Sequence, residues 1–232
     1  MPRLLLPSFA PPAALPGVVL ERWRHHSAEA GQTTVLPDGC RDLILHVDAC
    51  GAGRWMVSPL ARQAYSVEGL AGEDWLGYRL QPGTALHVPA LLRAIQGLPP
   101  YGDPQRLEQQ VLMALGDCAL HDARLEEALT ALAQAASVRA AAHSLGVSER
   151  SMERLLRAGT GQPPRYWRAL ARVRRAARAL ASPEPLAAIA ADAGYADQAH
   201  FSRECRHWLG LTPARLRAAP GLLATVQASG YG

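Results

Sequence analysis

Apolar and polar residues alternate along Asp42–Val47, where Leu43, Leu45 and Val47 share one side, and along residues 75–80, where Leu76, Tyr78 and Leu80 do. A two-residue period is that of a strand with one buried face. Short apolar runs at residues 18–24, 33–36, 54–57 and 62–67 read as further strands. Turn chemistry separates them at Pro37-Asp38-Gly39, Gly51-Ala52-Gly53 and Pro82-Gly83. Residues 1–100 therefore predict a small antiparallel β barrel or sandwich.

Beyond residue 100 the period lengthens to that of helices. Asp103 can cap a helix with Pro104 in its first turn, and Leu107, Val111, Leu112 and Leu115 share a face. Leu125, Ala128, Leu129 and Leu132 form a second stripe. Residues 101–136 read as a helical connector whose stripes serve either as plain core or as a dimer contact.

Residues 137–218 contain a repeat. Ala142 and Gly146 match Ala190 and Gly194 at a spacing of 48, and Met152, Arg154, Gly161 and Pro164 match Phe201, Arg203, Gly210 and Pro213 at a spacing of 49. The register slips once, within the turn. Each copy has the grammar of a helix-turn-helix: an apolar helix face, a glycine where a positive φ fits, a capping Ser148 or Asp197, and a second helix. Met152, Leu155 and Leu156 turn inward in the first copy, and Phe201, Cys205 and Trp208 in the second. Residues 165–180 read as one linking helix about 24 Å long. Such a spacer suits two recognition helices in successive major-groove turns, about 34 Å apart. The overall class is α+β: a β-rich region, a connector, an all-α double helix-turn-helix and a tail at 219–232.

Charge sharpens this picture. All 24 basic residues are arginine, and residues 137–218 hold 14 of them against 6 acids, whereas residues 1–136 hold 10 against 14. A basic half joined to an acidic one points to a polyanion partner for one half only. Guanidinium also suits guanine and phosphate better than ammonium does.

The double repeat resembles the AraC/XylS family of transcription regulators. The resemblance is carried by Ile189-Ala190 through Gly194-Tyr195, by His200-Phe201-Ser202-Arg203 and by Gly210-Leu211-Thr212-Pro213, with Arg172 at a family arginine position. Glu204, Cys205 and Trp167 depart from the usual family residues. The stretches 36–44 and 77–83 resemble a poorly characterised domain found ahead of such modules. The family likeness implies sequence-specific binding of double-stranded DNA, with that N-terminal domain sensing a small-molecule effector or forming a homodimer. RNA polymerase is a further candidate partner.

Carried over by position, the likeness directs Arg150, Ser151, Glu153 and Arg154 in the first copy towards DNA, and Gln198, His200, Ser202 and Arg203 in the second. Arg can grip guanine O6 and N7, Gln can pair with adenine, and Glu can accept from cytosine N4. The plainer alternative is a solvated helix face with Arg–Glu pairs at helical spacing. Arg168, Arg172, Arg174 and Arg175 are expected to give nonspecific affinity or internal ion pairs. Asp38, Cys40 and Asp42 are candidates for an effector pocket, although Asp38-Gly39 can serve simply as a turn; Cys40, just after it, is a candidate exposed thiol.

No cofactor is called for, and no catalytic triad, phosphate loop or metal motif is present in the sequence. His25, His26, His46 and His87 lack the spacing of a metal site. The four cysteines show no C-x-x-C pair and read as reduced thiols. Pro7, Pro11, Pro12 and Pro16 interrupt the apolar start, which argues against a signal peptide and for a cytoplasmic, non-membrane protein. Two rivals remain: a constitutive DNA-binding protein without a ligand, and a DNA-repair or other enzyme fusion using the same reader.

Overall fold

The computed structural model describes residues 15–101 and 103–232. Pro7, Pro11 and Pro12, on which the signal-peptide reading leaned, lie outside them. The chain divides into two units, and it crosses between them more than once. Of the described residues, the first comprises 15–33, 41–59, 67–101 and 103–122; the second comprises 34–40, 60–66 and 123–232.

In the first unit, β1 (Val19–His26), β3 (Asp42–Val47), β4 (Gly53–Val57) and β6 (Asp74–Leu80) form an antiparallel sheet of order β1-β6-β3-β4. Leu45 sits opposite Leu76, and Leu43 opposite Tyr78. This register brings the alternating apolar residues of both central strands onto one face. There they pack on Leu91 and Ile95 of α1 (Val88–Ile95) and on Leu107, Val111 and Leu115 of α2 (Pro104–Cys118). Each such side chain contributes about 1.5–3 kcal/mol by leaving water. The antiparallel β region read from the sequence is thus present, as a four-stranded sheet backed by two helices. Asp103 caps α2 through Gln105 N at 3.0 Å, with Pro104 in the first turn, as its sequence predicts.

The other face of the sheet is polar and aromatic. The Trp23 indole lies directly over Gly77, where a Cβ would fall 2.0 Å from the ring. Its Nε1 donates to Asp42, which also accepts from Arg79 at 3.1 Å. Arg79 pairs with Glu21 as well, and His46 stacks on Trp75 with centroids 3.9 Å apart. A short ribbon of β7 (Ala85–Leu86) and β8 (Ala119–Leu120) completes this unit. The chain passes from one unit to the other within β2 (Gly31–Val35) and within β5 (Tyr65–Gly69), which pair with each other.

The second unit is helical: α3 (Ala123–Gln134), α4 (Val138–Ser144), α5 (Glu149–Thr160), α6 (Pro164–Arg178), α7 (Leu186–Asp192), α8 (Gln198–Leu209), α9 (Pro213–Arg217) and α10 (Pro220–Gln227). The helix read at residues 165–180 is α6, which tightens into a 3-10 turn at Ala179–Ala181. Trp167, Leu170 and Val173 of α6 are fully buried at the centre of a core shared by every neighbouring helix. Gly159 lets α3 approach α5, since a Cβ there would meet Leu125 at 2.2 Å.

Besides Leu125, Leu129 and Leu132 of α3, two further parts of this core come from outside residues 137–218. Leu36 is buried in it, and Gly39 adopts φ +76° against Trp167, Leu170 and Tyr231. The segment read as a tail, 219–232, carries α10 and buries Val226 and Tyr231; the Tyr231 hydroxyl donates to Leu129 O at 2.8 Å and its amide to Asp38 O at 2.8 Å. Of the residues read as a connector, α2 belongs to the first unit and α3 to the second.

Candidate nucleic-acid interface

The two repeat copies fold as the pattern demands. In the first, α4 ends at Leu145, Gly146 turns the chain at φ +65°, and Ser148 caps α5 by accepting from Ser151 N at 3.1 Å. In the second, Gly194 turns at φ +75° after α7, and Asp197 caps α8 by accepting from His200 N at 2.6 Å. A side-chain oxygen at this position satisfies one of the orphan donors of the first turn. Gly161 and Gly210 end α5 and α8 in the left-handed conformation. Met152 and Leu156 point inward from α5, and Phe201, Cys205 and Trp208 from α8. Leu155, expected inside, is only partly buried.

The matched positions Arg154 and Arg203 are both exposed, as are Arg150 and Gln198. Among the described residues, Arg150, Arg154 and Arg203 carry no hydrogen bond or ion pair. The other four candidates are partly buried and some are engaged. Glu153 pairs with Arg157 one turn on, the intrahelical pairing weighed as the plain alternative. Ser151 hydrogen-bonds the Ser148 hydroxyl at 2.9 Å, and the His200 ring meets Tyr195 edge-on at 5.1 Å. The repeat therefore sets one uncommitted guanidinium at the equivalent point of each second helix.

A family model described as a helix-turn-helix domain matches residues 141–219, the span of these capped pairs. Residues 141–219 are a helix-turn-helix domain of the AraC/XylS type. The chain is also 34% identical over 76 residues to the regulatory protein ada of Salmonella typhimurium strain LT2. That match covers 33% of this chain and 22% of the relative, so the chain spans about a fifth of the relative's length. Among solved structures, ToxT from Vibrio cholerae superposes with a TM-score of 0.45 at 10% identity, covering 85% of this chain and 97% of that one. A fatty-acid-bound form of ToxT superposes with a TM-score of 0.41 at 10% identity, covering 84% and 93%.

Several arginines of the AraC-type domain have internal duties. Arg174, read as a phosphate contact or ion-pair partner, is fully buried and donates to three backbone carbonyls, those of Pro37, Val226 and Ala228. Its place on α6, four residues after Leu170 and three before Ala177, is the signal that could have marked it as buried. Arg168 donates to Ala136 O, Arg175 to Ala133 O, and Arg217 to Leu180 O and Glu184 O. Arg172 pairs with Glu204 at 3.7 Å and lies 4.3 Å over the Tyr195 ring. The charge open to a phosphate backbone is thus smaller than the arginine count suggests.

The candidate effector residues are placed as follows. Asp38 caps its turn by accepting from Cys40 N at 2.9 Å. Cys40 is buried, which corrects the expectation of an exposed thiol: the Gly39 turn folds it inward. Asp42 holds Trp23 and Arg79. Asp38 and Cys40 belong to the second unit and Asp42 to the first. Of the histidines, His26 pairs with Asp74 at 3.0 Å, His46 with Glu73 at 3.3 Å, and His87 caps α1. Among the described residues no group of three or more His, Cys, Asp or Glu side chains is placed to hold a metal ion. Nor is any helix there long and apolar enough to cross a membrane.

Proposed function

We propose that this chain is a sequence-specific transcription regulator in which α5 and α8 enter successive major-groove turns of one duplex. The observation that carries the reading is the duplication itself: two helix-turn-helix copies linked by α6, each with a capped second helix and an uncommitted arginine at the matched position. Arg154 reads a base edge, with Arg150 beside it; Arg203 and Gln198 play the matching parts in the second copy. Ser151, Glu153, His200 and Ser202 border the same surface, and Glu153, which pairs with Arg157 through one oxygen, keeps the other to accept from cytosine. A reader of this kind acts in the cytoplasm on chromosomal DNA and through RNA polymerase. Its occupancy is set by an effector or by pairing of two copies through the N-terminal unit.

Fluorescence anisotropy on DNA from upstream of the protein's own gene tests this, at two salt concentrations and with scrambled competitor. Specific binding survives competitor and weakens with salt. Arg154→Ala should weaken the cognate complex by about 1–3 kcal/mol and the scrambled one much less. Equal losses on both would remove Arg154 from base reading.

A further inference from the structure

A cleft of about 260 Å³ opens within the second unit, and its lining includes none of the exposed arginines of α5 and α8. Its floor is α6, which presents Arg168, Arg172 and Arg175; at spacings of four and three these share one helix face. Residues 132–136, leading into α4, form one wall, and residues 192–194, the turn leading into α8, form the other. Asp192 is the acid on the rim, and Glu204 reaches Arg172 from α8. Three like charges on one face repel one another, and each carries more N–H groups than the protein satisfies. The outer nitrogens are engaged: Arg168 with Ala136 O, Arg175 with Ala133 O at 2.8 Å, and Arg172 with Glu204. The Nε–H groups of Arg168 and Arg172 are buried and meet no acceptor in the protein. A buried donor on a charged group left unpaired is costly, and its natural complement is an anion.

We propose that this cleft binds a small free anion, a phosphate or carboxylate group, held by the guanidinium groups of Arg168 and Arg172 that line it, with Arg175 at the mouth. Burial, then repulsion from Arg172 and Arg175, already pushes the Arg168 guanidinium below its ordinary range, a strain that a bound anion relieves. The volume holds several waters, enough for a phosphate or a short carboxylic acid. If α5 and α8 read DNA as proposed, the anion touches the entry to both helix pairs and so adjusts one relative to the other.

The test is calorimetric titration of the full chain with inorganic phosphate and, separately, with acetate, at ionic strength held constant with chloride. Saturable binding of either supports the site and names its chemistry. Arg168→Gln should weaken it on the order of tenfold to a hundredfold, the cost of a lost charge-assisted donor. Arg175→Gln on the exposed rim is the second variant and should weaken binding several-fold; because Arg168 and Arg175 each also hold a backbone carbonyl, of Ala136 and Ala133, an unchanged Tm for either variant separates lost anion binding from lost packing. Asp192→Asn removes the opposing rim charge and should tighten it. Absence of saturable binding, or equal affinity in all variants, overturns the proposal. So does a result in which Arg168→Gln and Arg175→Gln leave small anions unaffected but weaken a non-cognate duplex, since the cleft would then be a seat for the DNA backbone. Neither titration with small anions requires DNA reading, so failure here and failure of the regulator reading are separable.

Discussion

In an Arg174→Met variant the unbranched stem stays but every donor is lost. The native guanidinium is 1% exposed and gives Nη1 to Pro37 O and Nη2 to Val226 O and Ala228 O, all at 3.2 Å. Three carbonyls from two separate segments would lose their partner, at about 1–3 kcal/mol for each that stays buried and unmatched. Two effects reduce the total. Burying the cation carries a desolvation penalty of several kcal/mol that the variant avoids. The two carbonyls from residues 226 and 228 share one nitrogen and lie where α10 ends, so water can replace the donor there. The balance is a destabilisation of about 2–4 kcal/mol. For a unit of this size each kcal/mol lowers Tm by roughly 3–5 °C, so a fall of about 6–20 °C is expected. Calorimetry gives Tm, and urea unfolding followed by tryptophan emission reports the same core through Trp167. Arg174→Lys should lose nearly as much, because one ammonium does not span carbonyls on both sides. A methionine variant as stable as the parent would refute the reasoning, showing that the cation's desolvation outweighs its bonds to these carbonyls.

Three further outcomes follow from the same core. Gly39→Ala forces a left-handed backbone at about 1–2 kcal/mol and drives a Cβ to 2.8 Å from Tyr231 Cβ, whereas Gly146→Ala meets only the backbone term because nothing lies within 4 Å; equal Tm losses would contradict the docking of residue 39. Burial pushes the Cys205 thiol from near 9 up to about 12 and the Tyr195 hydroxyl from near 10 up to about 12. Both groups are raised on folding, so their contribution is complete below pH 9 and is lost above it, by about 1.4 kcal/mol per pH unit for each once its unfolded form ionises. Urea midpoints flat from pH 8 to 11 would contradict that. Iodoacetamide should modify exposed Cys50 in the native protein but reach Cys40 and Cys205 only after denaturation; native labelling of Cys40 would show that its turn opens.

Much of this fold could be read directly where one local rule acts without competition. The strands β3 and β6 follow from strict alternation, and Ser148, Asp197 and Asp103 cap the helices their positions announce. Legibility fails where distant contacts decide. A strand read at residues 62–67 begins only at Tyr65, because Ala61 O accepts from Tyr166 and Ala64 N bonds Trp208 O, holding that stretch to the helical unit. Helix α1 went unread: eight residues with Pro89 near the start show only two buried apolar positions. For the candidate interface the exposed arginines follow from the repeat, but the use of Arg174, Arg168 and Arg175 on backbone carbonyls does not. Carbonyl acceptors have no sequence signature, so only the helix face on which an arginine falls can hint at such a role.

The core of the AraC-type domain joins Leu36 and Gly39 to Tyr231, nearly 200 positions later. During synthesis at about 5–20 residues per second, the early segment of this core waits roughly 10–40 s for Tyr231. Throughout that interval Leu36 and the apolar faces of α3 and α6 are without the groups that cover them. The nascent chain therefore passes through a window in which a holding chaperone has the most to gain, and slowing translation of residues 200–231 should lengthen that exposure and raise aggregation.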